Sequence, residues 1–150
     1  PGGYPEFFLK ELESNIAVKQ QLKMYVESGG RLLAECGGMM YLCDSIRGMD
    51  GKQYAMVGLL HQRATMENMK LRLGYRTLRI GEQVWKGHEF HYSVVFGNDT
   101  DNPLFESVSL NGRKELCGSC NGNVFGSYLH IFFPDAPGLL TPQSTFLSQK

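Results

Sequence analysis

Apolar residues follow two different rhythms along this chain. Near its start they recur at helical spacing. Phe7, Phe8, Leu9 and Leu12 predict a short helix over 6–14, after Pro5. Asn15 is placed to cap a second helix, in which Val18, Leu22, Tyr25 and Val26 recur every three or four residues. Gly29-Gly30 ends it. Residues 32–34 then read as a strand, residues 35–38 as a tight turn, and 38–46 as a helix. A helix–strand–turn–helix order suits a parallel sheet. Further along, runs rich in Val, Ile, Leu, Tyr and Phe at 54–60, 71–80, 90–96 and 123–129 predict strands, some of them antiparallel. Residues 97–104 and 111–122 read as polar loops, and 142–147 as the start of a helix.

With 150 residues and 42% hydrophobic content, the chain can bury a core, and it reads as one α/β domain. Fifteen basic and fifteen acidic residues cancel, so no general affinity for nucleic acid or an anionic membrane is expected. No apolar run is as long as a membrane span. Four cysteines are too few for a disulfide-stapled secreted domain, so a reducing cytoplasm is the expected compartment. The chain opens on Pro1-Gly2-Gly3, a turn without a preceding strand, and upstream residues are therefore expected in the natural protein.

Chemistry concentrates at Cys36. Arg31-Leu-Leu-Ala-Glu-Cys-Gly-Gly-Met-Met-Tyr-Leu42 has the form of a nucleophile elbow, in which a strand ends, the chain turns sharply and a helix starts under the reactive atom. Glycines at 37 and 38 allow backbone to pack behind the nucleophile. The helix N-terminus is expected to favour the thiolate, and the Gly37 amide to point at an oxyanion. Taken alone, the same segment serves equally for a buried structural cysteine.

A cysteine nucleophile needs a base, and His61, His88, His91 and His130 are available. His130 is favoured because it ends the buried-looking strand Asn123-Val-Phe-Gly-Ser-Tyr-Leu-His130, and strand ends border the crevice of an open α/β sheet. Gly2 and Gly3 can turn backbone amides toward a ligand as a second arm of an oxyanion hole. In Gly87-His-Glu-Phe-His-Tyr-Ser93, strand alternation puts Glu89, His91 and Ser93 on one face and His88, Phe90 and Tyr92 on the other. The first face either meets solvent or lines a site. Cys117-Gly-Ser-Cys120 lacks a second ligand pair, and the methionines at 39, 40, 66 and 69 read as packing residues, so no metal site is expected. No phosphate-binding loop of the G-x-x-x-x-G-K-[ST] type occurs.

The segments PGGYPE (1–6), AECGGMMYL (34–42), YAMVGLL (54–60), LGYR (73–76), GHEFHYS (87–93) and GNVFGSYLH (122–130) together resemble the glutamine amidotransferase domain of the cobyrinic acid a,c-diamide synthase family. The resemblance implies a flavodoxin-like class I glutamine amidotransferase fold with a mixed sheet, truncated at its N-terminus. It implies that residues 1–150 form a glutaminase portion, with an ATP- and Mg-dependent synthetase domain upstream and no cofactor on this chain. Glutamine would be hydrolysed to supply ammonia for amidation of the a and c carboxylates of a corrinoid precursor. Cys36 and His130 would be catalytic, with Gly2, Gly3 and Gly37 forming the oxyanion hole. Glu89, His91, Tyr92 and Ser93 would contact substrate. Cobyric acid synthase, a nickel-tetrapyrrole a,c-diamide synthase and a silent docking module are the alternatives. A domain parted from its partner would expose apolar surface and could form a homodimer. One departure stands out. Amidotransferases of this superfamily often carry His-Pro-Glu, whose glutamate orients the imidazole, whereas Phe132 follows His130 at that spacing here. The orienting group is left open, with Glu89 as one candidate.

Overall fold

The computed structural model describes residues 1–67, 69–80, 82–97, 103–132 and 134. A 3-10 turn at Pro5–Phe7 leads into α1 (Leu9–Ser14) and α2 (Ile16–Glu27). Asn15 caps α2 as expected, its side chain accepting from the Val18 N–H at 3.2 Å. Only half of the anticipated apolar stripe turns inward. Leu22 and Val26 pack on the core, while Val18 and Tyr25 are exposed. Buried Lys19 replaces them as an anchor, donating to the carbonyls of Glu13 and Ala55.

Twelve strands are described: β1 (Leu32–Glu35), β2 (Cys43–Arg47), β3 (Gln53–Ala55), β4 (Leu60–Thr65), β5 (Arg72–Ile80), β6 (Gln83–His91), β7 (Val94–Gly97), β8 (Phe105–Ser109), β9 (Lys114–Cys117), β10 (Ser119–Asn121), β11 (Val124–Ser127) and β12 (Leu129–Ile131). They form three sheets, ordered β1-β11-β10, β12-β6-β5-β8-β9 and β3-β2-β4-β7. Pairing is mixed, with β1–β11 and β2–β4 parallel and the remaining pairs antiparallel.

Several expectations are corrected. The helix α3 spans only Gly37–Leu42, because Cys43 to Arg47 leave it to pair with both β3 and β4. Residues 54–60 are not one strand. The Met56, Val57, Gly58 and Leu59 amides bond carbonyls of Asp44, Tyr41, Cys43 and Leu42, which bends the chain between β3 and β4. Residues 90–96 break at Tyr92-Ser93, and 111–122 contain β9 and β10 where a loop was expected. The predicted helix at 142–147 lies outside the described residues.

The main core joins Leu9, Met39, Met40, Leu42, Ile46, Val57, Leu60 and Val124 under α3. A second cluster, Leu78, Trp85, Phe105, Leu129 and Ile131, backs the five-stranded sheet. Met66 is buried as expected, while Met69 is about half exposed. Between two sheets lies Gln62, 1% exposed, whose amide reaches the Cys43 sulfur and whose oxygen accepts from Ser119 Oγ at 2.6 Å. That pairing satisfies a buried polar group and links β4 to β10.

Candidate active site

Cys36 sits at φ 49°, ψ −113°, the one non-glycine residue with positive φ among those described. Such a conformation is costly for a residue with a Cβ and persists only when its surroundings enforce it. Here the Cys36 N–H donates to the Ser127 carbonyl at 2.7 Å, which ties the elbow to the end of the parallel partner strand β11. The Sγ lies 3.8 Å from the Phe90 carbonyl, to which the thiol donates.

The N-terminal segment packs directly on the elbow. A Cβ on Gly37 would run into the Gly3 peptide and the Pro5 ring, the latter at 2.8 Å, and a Cβ on Gly38 would lie 2.7 Å from the Pro1 carbonyl oxygen. A Cβ on Gly2 would come within 2.5 Å of Cε1 of His130. Gly2 thus packs against His130, and Gly3 against Gly37.

His130 reaches this place differently from its expected position. The run 123–129 is not one strand. At Tyr128 the chain leaves the β1–β11 sheet, the Leu129 N–H is caught by Ser127 Oγ at 3.0 Å, and Leu129 and Ile131 insert into the second core cluster. His130 is therefore central in the antiparallel strand β12, opposite His88 of β6, and the two rings stack with centroids 4.9 Å apart. Its Nδ1 lies 3.7 Å from Oε2 of Glu35, the residue before Cys36. The other Glu35 oxygen accepts the Ile131 N–H at 2.7 Å.

A narrow cleft of about 20 Å³, room for about one water, opens over Cys36 between Tyr4, Glu6, Met40, Phe90 and the segment His91–Ser93. His91, Tyr92 and Ser93 line it, but Glu89 does not. Glu89 bonds the Arg76 guanidinium and lies 3.7 Å from His91 Nε2. The His91 ring, and then Arg76, hold the Glu89 carboxyl below the usual range against the effect of burial. The carboxylate beside His130 is therefore Glu35, in place of the expected Glu89. Glu89, His91 and Ser93 do share a buried face, as alternation predicts. That face adjoins a larger cavity of about 240 Å³, lined also by Ser107, Ser119, Ser127 and Tyr128. The Tyr128 ring stacks on His91 at 3.7 Å, with its hydroxyl 2.7 Å from Ser93 Oγ.

Electrostatics correct a second expectation. Burial pushes the Cys36 thiol above its usual range. The Gly37 amide pulls it back, and the Glu6 and Glu35 carboxylates add to the rise. With six residues, α3 supplies too little dipole to overcome desolvation. Burial also lowers His130, which Glu35 opposes and His88 and the Pro1 amino group reinforce. Both shifts disfavour the charged pair, thiolate and imidazolium, at rest. Two consequences are measurable in the full-length protein. Alkylation of Cys36 by iodoacetamide should keep accelerating beyond pH 9 rather than level off near neutrality. Any reaction that needs His130 as a base should fail as pH falls through a midpoint below 6.5, because the protonated ring has no lone pair to offer.

Cys117 and Cys120 bond separate carbonyls, those of Phe105 and Gly122, and burial raises the Cys117 thiol to about 11. Among the described residues no helix is long and apolar enough to cross a membrane.

A strained cysteine elbow on a parallel strand end, with the glycine-rich N-terminal segment packed on it and His130 against that segment and Glu35, has the form of a class I glutamine amidotransferase fold. A crystal structure of a glutamine amidotransferase superimposes with a TM-score of 0.57 at 18% identity, covering 99% of this chain and 75% of that one. The chain belongs to the CobB/CobQ-like glutamine amidotransferase domain family, which it matches over residues 1–137. It is 36% identical over 140 residues to the cobyrinate a,c-diamide synthase of Priestia megaterium, covering 88% of this chain and 30% of that protein. It is 35% identical over 138 residues to the hydrogenobyrinate a,c-diamide synthase of Pseudomonas aeruginosa, covering 91% of this chain and 31% of that protein. The chain therefore spans about 30% of the length of these curated relatives.

Proposed function

We propose that this chain is the glutaminase portion of a carbon–nitrogen ligase that amidates the a and c carboxylates of a corrinoid. Similarity to both cobyrinate and hydrogenobyrinate a,c-diamide synthases supports that acceptor class. The observation that carries the chemistry is the positive φ of Cys36, a strained conformation that its surroundings enforce.

Cys36 Sγ attacks the glutamine carboxamide carbon while His130 takes the thiol proton. The tetrahedral oxyanion is held by the Gly37 amide and by the Gly2-Gly3 backbone. His130 returns its proton to the departing nitrogen as ammonia leaves, and a glutamyl thioester remains. Water, deprotonated by His130, then attacks the thioester, releasing glutamate and restoring the thiol. His91, Tyr92 and Ser93 contact the glutamine, for which the narrow cleft must widen. Carboxylate activation with ATP and Mg²⁺ is assigned to a synthetase domain outside this chain, in a cytoplasmic enzyme.

Incubation of the full-length protein with a diazo ketone analogue of glutamine tests the proposal. Mass mapping should place the adduct on Cys36, with glutamine protecting. An adduct on Cys117 or Cys120 instead would refute it.

A further inference from the structure

The superfamily's usual orienting glutamate, two residues after the histidine, is replaced by Phe132, which is more than half exposed. Yet His130 is not without a carboxylate. Glu35 is 8% exposed, and its Oε2 faces Nδ1 at 3.7 Å, an electrostatic approach longer than a hydrogen bond. Its Oε1 is held by the Ile131 N–H at 2.7 Å. That bond aims the carboxylate, because Ile131 is the next residue after the histidine and lies in the same strand. Two further contacts fix the ring: His88 stacks on it, and the Gly2 backbone sits against Cε1.

We infer that Glu35 is the positioning residue for His130, supplied from the residue before the nucleophile rather than from the histidine's own strand. The proposal rests on the glutaminase reading above. A carboxylate at Nδ1 favours the tautomer with its proton there, leaving the Nε2 lone pair to take the thiol proton. It also stabilises the imidazolium formed during attack, as the buried aspartate does in serine-hydrolase triads. One glutamate thereby serves both reacting groups. Glu35 opposes the lowering of His130 that burial, His88 and the Pro1 amino group impose, and it raises Cys36 together with Glu6. It therefore adds to the effect of burial in disfavouring the thiolate, while favouring a proton on the ring.

The test uses the full-length enzyme with Glu35→Gln and Glu35→Asp. Glutamine keeps an oxygen for the Ile131 N–H and loses only the charge, whereas aspartate keeps the charge at a shorter reach. Rates are measured with glutamine and with ammonia as nitrogen source. The His130 midpoint is read by NMR of ring-labelled histidine, assigned by its loss in His130→Asn. Glu35→Gln should lower kcat with glutamine about 10- to 100-fold with KM little changed, because a misaligned base forfeits part of the usual acid–base contribution. Its His130 midpoint should move to lower pH, its ammonia-supported rate should persist, and Glu35→Asp should recover part of both losses. An unmoved midpoint or an unmoved kcat in Glu35→Gln overturns the proposal. Equal loss of the ammonia-supported rate in both variants also overturns it, since that marks a structural role alone. A wild-type enzyme inert to glutamine, whose His130 midpoint still falls on Glu35→Gln, supports the coupling and refutes the glutaminase reading instead.

Discussion

Replacing Cys36 with alanine should abolish glutamine-supported amidation by the full-length enzyme and leave the ammonia-supported rate intact. No other described thiol can substitute, because Cys43 lies under α3 at 0% exposure and Cys117 and Cys120 are hydrogen-bonded elsewhere. Removing a covalent nucleophile eliminates the thioester route rather than slowing it, so only background hydrolysis should remain. The stability of the variants carries a second, independent signature. At φ 49° a Cβ is strained, so Cys36→Gly should be more stable than Cys36→Ala by about 1 kcal/mol. That reverses the order found in ordinary strands and helices, where glycine is the weaker residue. Urea unfolding of the two variants, compared at equal slope, checks the sign. If alanine is the more stable, the elbow is relaxed and the enforced geometry argued above is wrong.

Gly37→Ala should be nearly as damaging by another route. The added methyl meets the Gly3 peptide and the Pro5 ring, and backbone atoms cannot yield as a flexible side-chain tip can. Either the N-terminal segment lifts away or α3 shifts, at about 1–3 kcal/mol, the usual cost of overpacking. Lifting the segment removes Gly3 from the cleft and Gly2 from His130. Glutamine-supported turnover and diazo ketone labelling should therefore fall together. Loss of stability with wild-type labelling would show that the segment only packs there and takes no part in catalysis.

Much of this site was legible in the sequence because elbow geometry is a local matter. Cys36, Gly37 and Gly38 announce a strand–turn–helix through their own conformational limits, and Asn15 announces a cap in the same way. Glu35 is less legible, although a carboxylate ending a buried strand beside a nucleophile is itself a signal. Its partner lies 96 residues on at Ile131, and no local rule connects them. Glu89 drew attention through a dense polar motif, but Arg76, its neighbour across the β5–β6 pairing, had already claimed it. The strands failed for a related reason. Residues 43–47 follow directly on a helix, yet partners on both sides draw them into a sheet, a pairing that overrides local preference. In β9, Lys114 to Cys117 hold strand geometry because β8 lies alongside, not because their composition demands it.

The bond from the Cys36 amide to Ser127 and that from the Ile131 amide to Glu35 also bear on how the chain folds. Both close long loops, and long-range closures form slowly because chain entropy must be spent before the contact is made. Until β11 pairs with β1, the Cys36 amide lacks the Ser127 carbonyl that ties the elbow down. During synthesis Cys36 emerges before the strands that carry Ser127 and Ile131. The reactive geometry is thus a property of the completed sheets rather than of the elbow segment alone.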